Sequence, residues 1–365
     1  MSTPQTVEQW VVPQQEMHQF VVDCMAKVGV EQDQAAQLAE LLIEADLRGH
    51  YSHGLNRLHV YLEDVLGGVS KNGSPKIVKQ KSGTALVDGD NSLGVVVGNF
   101  CTDLAIELAK EHGIGWVVAN HSNHYGICAH YGNRMANHGL VGMTFTNTSP
   151  CLFPANSSQM GLGSNPICVT ANASTQLPNI NQKDSFCLDM ATSTVAFGKI
   201  EWGADPHGKP TTNPKEILEG GGLLPLGSGG EQSAAYKGTG LGMMVELFCG
   251  ILAGSSFGKN VRQWREVNVN ANLGQCFVAL DPECFAPGFA DRLQTFMDET
   301  RGLTPADANK PVLVAGDPER KQISECKKAG GIVYNAAIIE QLTKVGSTYK
   351  VQNMFSCVKL EEQKK

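Results

Sequence analysis

Residues 48–61, RGHYSHGLNRLHVY, concentrate side chains that can exchange protons and bind anions. Three of the ten histidines of the chain lie in this stretch, with two arginines and two tyrosines. A histidine can accept and donate a proton near neutral pH, and the planar fork of an arginine matches a carboxylate. His53, Arg57 and Tyr61 follow at four-residue intervals, which predicts that they project from one face of a helix. The pattern favours acid–base chemistry on a ligand that carries a carboxylate.

The same residues also have a purely structural interpretation. Ser52 can cap a helix, His53 can lie on the surface, and Arg57 can pair with Glu63 or Asp64. Spacing alone does not separate the two interpretations.

A second polar cluster, HSNHYG at 121–126, follows the apolar run WVVAN and precedes a helical pattern. Ligands of α/β proteins bind where the chain turns from the carboxyl end of a strand into a helix. His124 is therefore expected in a binding crevice. For His121 we favour a hydrogen-bonded loop residue.

Metal binding is the alternative to acid–base chemistry. His50 with His53, and His121 with His124, form two His-x-x-His pairs, and eight of the ten histidines fall between positions 50 and 138. Together the pairs could supply zinc ligands if the two clusters meet. Neither pair encloses a carboxylate that could activate water, as a zinc hydrolase requires. A zinc-dependent hydrolase remains the alternative function.

Hydrophobic periodicity divides the chain into a helical part and an α/β part. Residues 33–47 predict a helix with Asp33 as its cap and Gly49 after its end, and a second helix is expected over 55–66. From residue 83, strands alternate with helices, at TALVD, WVVAN, VGMTFTN, ICVTA, FCLDM, CFVAL and VLVAG. We predict a helical region at 1–82 packed with C-terminal helices at 318–350, an α/β domain at 83–317 that binds cofactor and substrate, and a tail at 351–365.

Three glycine-rich joints interrupt the α/β pattern: GLGSNP at 161, EGGGLLPLGSGGE at 219 and YKGTGLG at 236. None has the Gly-x-Gly-x-x-Gly spacing, so a classical Rossmann fold is not supported. Glycines at strand ends let a phosphate approach backbone N–H groups, and Lys237 adds a positive charge. The alternative is that these segments are ordinary tight turns.

Composition narrows the partners and the compartment. The formal net charge is −7 and the basic residues are dispersed, which argues against a nucleic-acid or membrane partner. The polar start has no signal-peptide pattern, and the most apolar segment, 240–254, contains Glu246 and is too short to span a bilayer. Eleven scattered cysteines are typical of small buried residues in a reducing compartment. A cytoplasmic enzyme is favoured.

Taken together, the motifs resemble the malate/L-lactate dehydrogenase family that is unrelated to the Rossmann enzymes and includes sulfolactate, ureidoglycolate and diketogulonate dehydrogenases. The resemblance runs from about residue 30 to residue 345. Its eight motifs occur in the order of the family: ADLRGHYSHGLNR, SNHYG, TNTSP, GSNP, LDMATS with GKI, KGTGL, NLGQ and AGDPE. The resemblance implies an L-sulfolactate dehydrogenase-like α/β fold, with a mixed sheet, helices, an additional helical portion from the N-terminal region, and a homodimer.

The resemblance also implies hydride transfer between a nicotinamide cofactor and a small 2-hydroxy or 2-oxo acid. Malate and oxaloacetate are the first expectation; lactate, sulfolactate, ureidoglycolate and cyclic imino acids are the alternatives. Members of the family use either of two histidines for proton transfer, which correspond to His53 and His124. Arg57 matches the residue that binds the substrate carboxylate, and Tyr61 matches a tyrosine beside the substrate. The cofactor is NAD or NADP, with NAD favoured.

Other positions correspond to the binding residues of the family. Ser52 and Thr148 border both cofactor and substrate. The expected cofactor-binding set comprises Ser52, His53, Thr148, Asn165, Asp189, Met190, Ala191, Lys237, Gly238, Gly316, Asp317 and Pro318. Tyr236 and Ala315 depart from the usual residues at their positions beside the cofactor. The choice between NAD and NADP therefore stays open, as does the identity of the 2-hydroxy acid.

Overall fold

The computed structural model describes residues 8–194, 202–229, 234–264, 266–267, 269–352 and 355–359. The N-terminal part of the chain is mainly helical, as predicted. Its elements are β1 (Gln9–Val12), α1 (Gln14–Lys27), α2 (Gln32–Leu47) and α3 (Leu58–Leu66). The predicted cap of α2 is wrong by two positions, because Glu31 is the N-cap and the Asp33 carboxylate instead accepts a hydrogen bond from Gln37 within the helix.

The remaining elements alternate between strand and helix. The first half contains β2 (Lys76–Lys81), β3 (Thr84–Asp88), α4 (Gly94–His112), β4 (Ile114–Ser122), α5 (Cys128–Asn137), β5 (Val141–Thr146), β6 (Ile167–Leu177) and β7 (Gln182–Met190). The second half contains β8 (Gly203–Ala204), β9 (Pro210–Thr211), α6 (Pro214–Leu218), α7 (Ala235–Glu246), β10 (Leu273–Leu280), α8 (Phe289–Arg301), α9 (Asp317–Ala329), β11 (Ile332–Asn335), α10 (Ala336–Thr348) and β12 (Val358–Lys359).

Seven strands form a mixed sheet in the order β2-β3-β4-β10-β5-β6-β7. Only β3 and β4 pair in parallel, and the other neighbours are antiparallel. Seven of the eight residues of the central strand β10 are buried because structure covers both faces there, whereas the edge strand β2, KIVKQK, is exposed throughout and its lysines discourage further pairing. The mixed sheet confirms the predicted class.

Six of the seven predicted strands are confirmed, and VLVAG at 312–316 is wrong. This segment has no strand assignment and leads into α9 through Gly316, whose φ is 98°. It contacts the sheet through a hydrogen bond from Cys187 N to Ala315 O and through Val314, which packs in a cluster with Ala173 of β6. Pro311 lacks an N–H donor for a ladder, and Asp317-Pro318 starts a helix, so a short apolar run between them does not extend as a strand.

The N-terminal helices and the C-terminal end pack together and share the main core with one face of the sheet. β1 pairs with both β11 and β12, and α1 contacts α10. Within the predicted tail, the ring of Phe355 lies 5.1 Å from that of Phe20. Residues 355–359 of the predicted tail therefore contact the N-terminal region. The domain boundaries stay a prediction.

In the described part of the chain, no helix is both long enough and apolar enough to cross a membrane. The predicted burial of the cysteines is largely confirmed: Cys284 is exposed, Cys151 and Cys357 are half-buried, and the other eight are buried. The motif GKI at 198–200 lies outside the described residues.

Candidate active site

The turn between α2 and α3 carries the first group of candidate residues. It consists of two 3-10 turns, Tyr51–His53 and Leu55–Arg57, separated by Gly54. The prediction of one continuous helical face is therefore wrong at His53, which lies before the break. Tertiary contacts nevertheless bring the predicted residues together.

Asp46 holds this turn in place from beneath. Its carboxylate accepts a hydrogen bond from the backbone N–H of Leu55 at 3.0 Å and another from the hydroxyl of Tyr334 at 2.7 Å. Asp46 is only 1% exposed, and burial raises its pKa to about 7. The carboxylate thus joins the end of α2, the candidate site and β11.

His124 is the centre of the cluster. The Tyr61 hydroxyl lies 2.7 Å from Nδ1 of His124, and the N–H of Gly126 donates to the same nitrogen at 3.3 Å. The imidazole of His53 is nearly parallel to that of His124, with ring centroids 5.9 Å apart. The loop after β4 and the turn before α3 therefore meet, as the resemblance implied when it assigned both clusters to one substrate.

Trp264 completes the cluster and was missed in the sequence. Its ring stacks on that of His124 with centroids 4.0 Å apart, and the guanidinium of Arg57 lies 5.0 Å from the Trp264 ring. Arg57 also donates from Nε to the carbonyl of Ser52 at 2.7 Å. The sequence offered one signal, a tryptophan between two arginines in VRQWRE, but no motif marked it.

A buried ion pair supports the Trp264 segment. Nη2 of Arg262 lies 3.0 and 3.1 Å from the two carboxylate oxygens of Asp64, and both side chains are 3% exposed. Nη1 of Arg262 donates to the carbonyl of Trp264 at 2.9 Å. The pair therefore anchors the tryptophan to α3, the helix that carries Tyr61.

Burial and neighbouring cations keep the histidines neutral. Burial, and secondarily the charge of Arg57, lowers the pKa of His53 to about 4. Burial, then competition with protonation of His53, and the charges of Arg57 and Arg262, lower the pKa of His124 well below its ordinary value. Burial also raises the pKa of Tyr61, so its hydroxyl stays protonated.

The contacts of the histidines do not support the zinc alternative. His50 lies 3.7 Å from a carboxylate oxygen of Glu319, and His121 lies 3.0 Å from Asp88. In each His-x-x-His pair, one histidine therefore lies beside a carboxylate, and the two carboxylates belong to different parts of the chain. Within the described ranges, no three His, Cys, Asp or Glu side chains are grouped as metal ligands.

The start of β10 connects the His124 loop with the predicted cofactor segments. The Gln275 amide donates to Asn123 O at 2.9 Å, and Gly274 exchanges hydrogen bonds with Asn147, which precedes Thr148. These residues belong to the motif NLGQ. The motif therefore holds the end of β4 and the end of β5 on either side of β10.

Thr148 and Asn165 contact each other beside α7. The N–H of Thr148 donates to the Asn165 side chain at 3.1 Å, and the Asn165 amide donates to Glu246 at 3.0 Å and to Gly242 O at 3.0 Å. Asn165 is fully buried. Its side chain thus fixes the loop around Thr148, an indirect role that the motif did not reveal.

Asp189, Met190 and Ala191 lie at the carboxyl end of β7. The Asp189 carboxylate accepts a hydrogen bond from Ala129 N at 2.8 Å, in the first turn of α5, and burial raises its pKa. Met190 and Ala191 are half-buried. The carboxylate is therefore already hydrogen-bonded to the protein.

The turn at Gly316, Asp317 and Pro318 lies beside β7. Asp317 contacts Arg301 at 2.8 Å and Arg320 at 2.6 Å, and these hydrogen bonds overcome the effect of burial and lower its pKa to about 2. The Asp317 side chain stabilises the turn itself. Any contact with a cofactor would come from the backbone or from Gly316 and Pro318.

Lys237 and Gly238 occupy the first turn of α7. Lys237 is exposed, with its ammonium 5.9 Å from the ring of Tyr236. Gly238 is buried against Leu226, whose backbone O would lie 2.2 Å from an added Cβ. Within the described residues, the contacts of Lys237 are local and do not reach the histidine cluster. The roles of these residues stay predictions.

Comparison with known proteins places this site in a family. The profile of the malate/L-lactate dehydrogenase family matches residues 12–343. A malate dehydrogenase of Pyrococcus horikoshii is 33% identical, over 94% of this chain and 96% of the relative. Its solved structure aligns with a TM-score of 0.87 at 33% identity, over 96% of this chain and 99% of the other.

Two further relatives carry other names. The L-sulfolactate dehydrogenase of Methanocaldococcus jannaschii is 32% identical over 89% of this chain and 93% of the relative. The solved sulfolactate dehydrogenase structure from that organism is 30% identical, with a TM-score of 0.83 over 94% of this chain and 98% of the other. A ureidoglycolate dehydrogenase (NAD(+)) of Escherichia coli O157:H7 is 28% identical over 94% of this chain and 99% of the relative. These likenesses confirm the expected fold, and the chain belongs to the malate/L-lactate dehydrogenase family.

Proposed function

We propose that the protein is an NAD(P)-dependent 2-hydroxy acid dehydrogenase that interconverts malate and oxaloacetate. The observation that carries the proposal is the cluster in which His124 is oriented by Tyr61 and lies beside His53, Arg57 and Trp264. It combines a proton-transfer group with a cation in one buried place. The oxidation of a hydroxy acid needs both.

We assign proton transfer to His124, because its hydrogen bonds orient the ring. A backbone N–H can only donate, so the Gly126 contact makes Nδ1 of the neutral imidazole an acceptor and leaves the hydrogen on Nε2. In the reduction direction, the Nε2–H group of His124 donates a hydrogen bond to the oxygen at C2 of the 2-oxo acid. The ring first takes a proton from solvent at Nδ1, where the Tyr61 oxygen can accept the new N–H. It then gives up its Nε2 proton as alkoxide charge develops and is left as the neutral Nδ1–H imidazole. Such transfer contributes about 10²- to 10⁴-fold in rate.

Arg57 would bind the C1 carboxylate of the substrate. Its hydrogen bond to Ser52 O and its contact with the Trp264 ring restrict the side chain before substrate arrives. A guanidinium held in this way offers a planar fork to a carboxylate and fixes the orientation of C2. Lysine could not reproduce this geometry.

The negative charge of the substrate would raise the pKa of His124. In the free protein, burial and the charge of Arg57 are among the causes that hold the pKa of His124 low. A carboxylate bound at Arg57 offsets that positive charge, so the pKa of His124 rises on substrate binding. Protonation is thereby coupled to occupancy.

The first turn of α7 suits the phosphates of a dinucleotide. Lys237 and Gly238 lie in the first turn of α7, where backbone N–H groups and the helix dipole favour a phosphate. A nicotinamide cofactor held there would supply the hydride to C2 of the substrate or take it up. NAD is the first choice, supported by the name of the ureidoglycolate relative.

Malate is the proposed substrate because a relative that aligns along nearly the whole chain is named a malate dehydrogenase. The relatives named for sulfolactate and ureidoglycolate support the wider class, in which an anionic 2-hydroxy acid varies beyond C2. Lactate and a cyclic imino acid are further substrates to test.

The test is a screen of 2-oxo acids with the purified protein. We expect reduced-nicotinamide absorbance to fall fastest with oxaloacetate and NADH, and activity to survive a chelator. Faster turnover of pyruvate, sulfopyruvate or a cyclic imine would replace malate, and a preference for NADPH would reverse the cofactor choice. A chelator-sensitive hydrolase without nicotinamide turnover would refute the proposal.

We further propose a cytoplasmic homodimer. Tyr236, Met243, Leu247 and Ile251 are each more than half exposed along α7 and the π-helix Leu247–Ile251 that continues it, and an apolar stripe of this kind is typical of an interface. The free thiols support a reducing compartment. Light scattering should give the mass of a dimer, and Leu247→Lys should shift it toward the monomer. An unchanged dimer would move the interface elsewhere.

A further inference from the structure

A cavity of about 400 Å³ lies apart from the histidine cluster, between α2, α5, β7 and α9. Its size falls within the range of about 300–1,000 Å³ that is usual for small-molecule sites. It lies at the β7 edge of the sheet, and Leu47 and Ile323 are among the few apolar residues in a lining otherwise made of charged, amide and hydroxyl groups. Such a lining suits a polar ligand.

Positive charge dominates the lining. The charged residues are Arg48, Arg134, Lys183, Arg320, Lys327 and one carboxylate, Glu44. Glu44 pairs with Arg48 at 2.9 Å. Arg134 and Arg320 also pair, with Asp103 and Asp317, which do not line the cavity.

The lysines supply the charge that remains. The ammonium of Lys327 donates to the carbonyl of Ile180, a neutral acceptor that leaves its charge in place. Lys183 is exposed on β7 at the mouth of the cavity. A concave site with an excess of cations concentrates anions.

We infer that this cavity binds a phosphate group. Its cations come from α5, α9, the residue that follows α2 and the edge strand β7, so they approach a ligand from different directions. A tetrahedral dianion offers oxygens to several such donors at once, whereas a planar carboxylate offers two. The amide of Gln182 on β7 adds a neutral donor to the lining, and that of Asn133 on α5 is shared with Glu44 at 3.4 Å.

The cavity adjoins two of the segments expected to bind the dinucleotide. Arg320 donates to Ser185 O on β7 at 2.6 Å and to Asp317 in the Gly316–Pro318 turn. Arg48 is close enough to Asp189 for its charge to influence that carboxyl. The phosphate can therefore come from two sources, the 2′-phosphate of NADP or a free phosphate.

The experiment measures the binding of inorganic phosphate, NADP⁺ and NAD⁺ by calorimetry, with Lys183→Gln/Lys327→Gln beside the wild type. The matched control is Lys79→Gln/Lys81→Gln, which removes the same charge from exposed positions on β2, the opposite edge of the sheet. We expect the cavity double variant to weaken phosphate binding at least about tenfold and the control to leave it unchanged.

The nucleotides separate the two sources. Weaker NADP⁺ binding with unchanged NAD⁺ binding identifies the 2′-phosphate as the occupant, whereas a loss confined to inorganic phosphate identifies a separate anion site. Equal losses in both double variants, or no phosphate-dependent loss in either, would overturn the inference. NAD⁺ binding and turnover in the wild type test the proposed function independently.

Discussion

An oxygen of Asp46 lies where a side chain at Gly54 would begin: a Cβ added to Gly54 would be 1.7 Å from Oδ1 of Asp46. The same carboxylate accepts the N–H of Leu55. Close approach of the turn to α2 is therefore possible only with glycine at position 54. The turn that carries His53 and Arg57 depends on this contact.

Gly54→Ala should consequently destabilise the protein and displace the turn. We expect the free energy of unfolding to fall by about 1–3 kcal/mol, because a methyl group is forced against a buried carboxylate. Denaturant unfolding measures the loss. Gly240→Ala is the matched control, since its added Cβ meets no atom within 4 Å and alanine favours a helix. Equal stability of the two variants would contradict the packing argument.

Asp46 also predicts a pH dependence of stability. Its pKa is about 7 in the folded protein against an ordinary value of 3.8, so between these values the folded state holds a proton that the unfolded state has released. The stabilisation is complete below about pH 4 and is lost as the pH rises through 7. Relative to Asp46→Asn, which does not titrate, the wild type should lose up to about 1.4 kcal/mol per pH unit in this window. A difference in stability that is constant with pH would exclude the shift.

Tyr61 should act as a positioning residue for His124. Tyr61→Phe removes the hydroxyl that lies 2.7 Å from Nδ1 but keeps the ring in the core. The loss of one buried hydrogen bond should lower kcat about tenfold and alter its pH profile, with little change in the melting temperature. Tyr349→Phe, at the end of α10, serves as the control. Unchanged kcat with lower stability would make Tyr61 merely structural.

The sequence identified the two histidine clusters better than it identified the residues that hold them in place. His124 follows a buried strand, and strand ends are where sites form, so its location could be read from local periodicity. Trp264 and Asp46 gave no such signal. Trp264 reaches His124 from a loop far along the chain, and Asp46 is the last acidic residue of an ordinary amphipathic helix. Their roles arise from tertiary packing.

The misassigned strand at 312–316 has a related cause. An apolar run of five residues is compatible with a strand, a loop or the approach to a helix, and only tertiary contacts decide among them. Here the chain is fixed by Gly316 and by the ion pairs of Asp317 with Arg301 and Arg320. The motif AGDPE located the turn correctly, although the strand predicted before it was wrong.

His124→Ala should separate the two candidate proton donors. We expect kcat to fall about 10²- to 10⁴-fold with NAD⁺ binding retained, because the variant removes the proton-transfer group but no predicted cofactor contact. His53→Ala is the comparison. In the wild type, the acid limb of kcat/KM for malate oxidation should lie well below pH 6.5, since the base must be neutral and its pKa is lowered. Near-normal turnover of His124→Ala would move the role to His53.

Arg57→Lys tests the substrate clamp while keeping the charge. The ammonium lacks the planar fork and the stacking surface that Arg57 presents to Trp264, so we expect KM for oxaloacetate to rise about 10- to 100-fold, with NADH affinity unchanged. Arg292→Lys is the control, because that arginine is exposed and donates to the backbone carbonyls of Pro287 and Ala286. If KM rises equally in both variants, or in neither, Arg57 does not bind the substrate carboxylate. A selective rise would place the anionic end of the substrate beside the tryptophan and orient C2 toward His124.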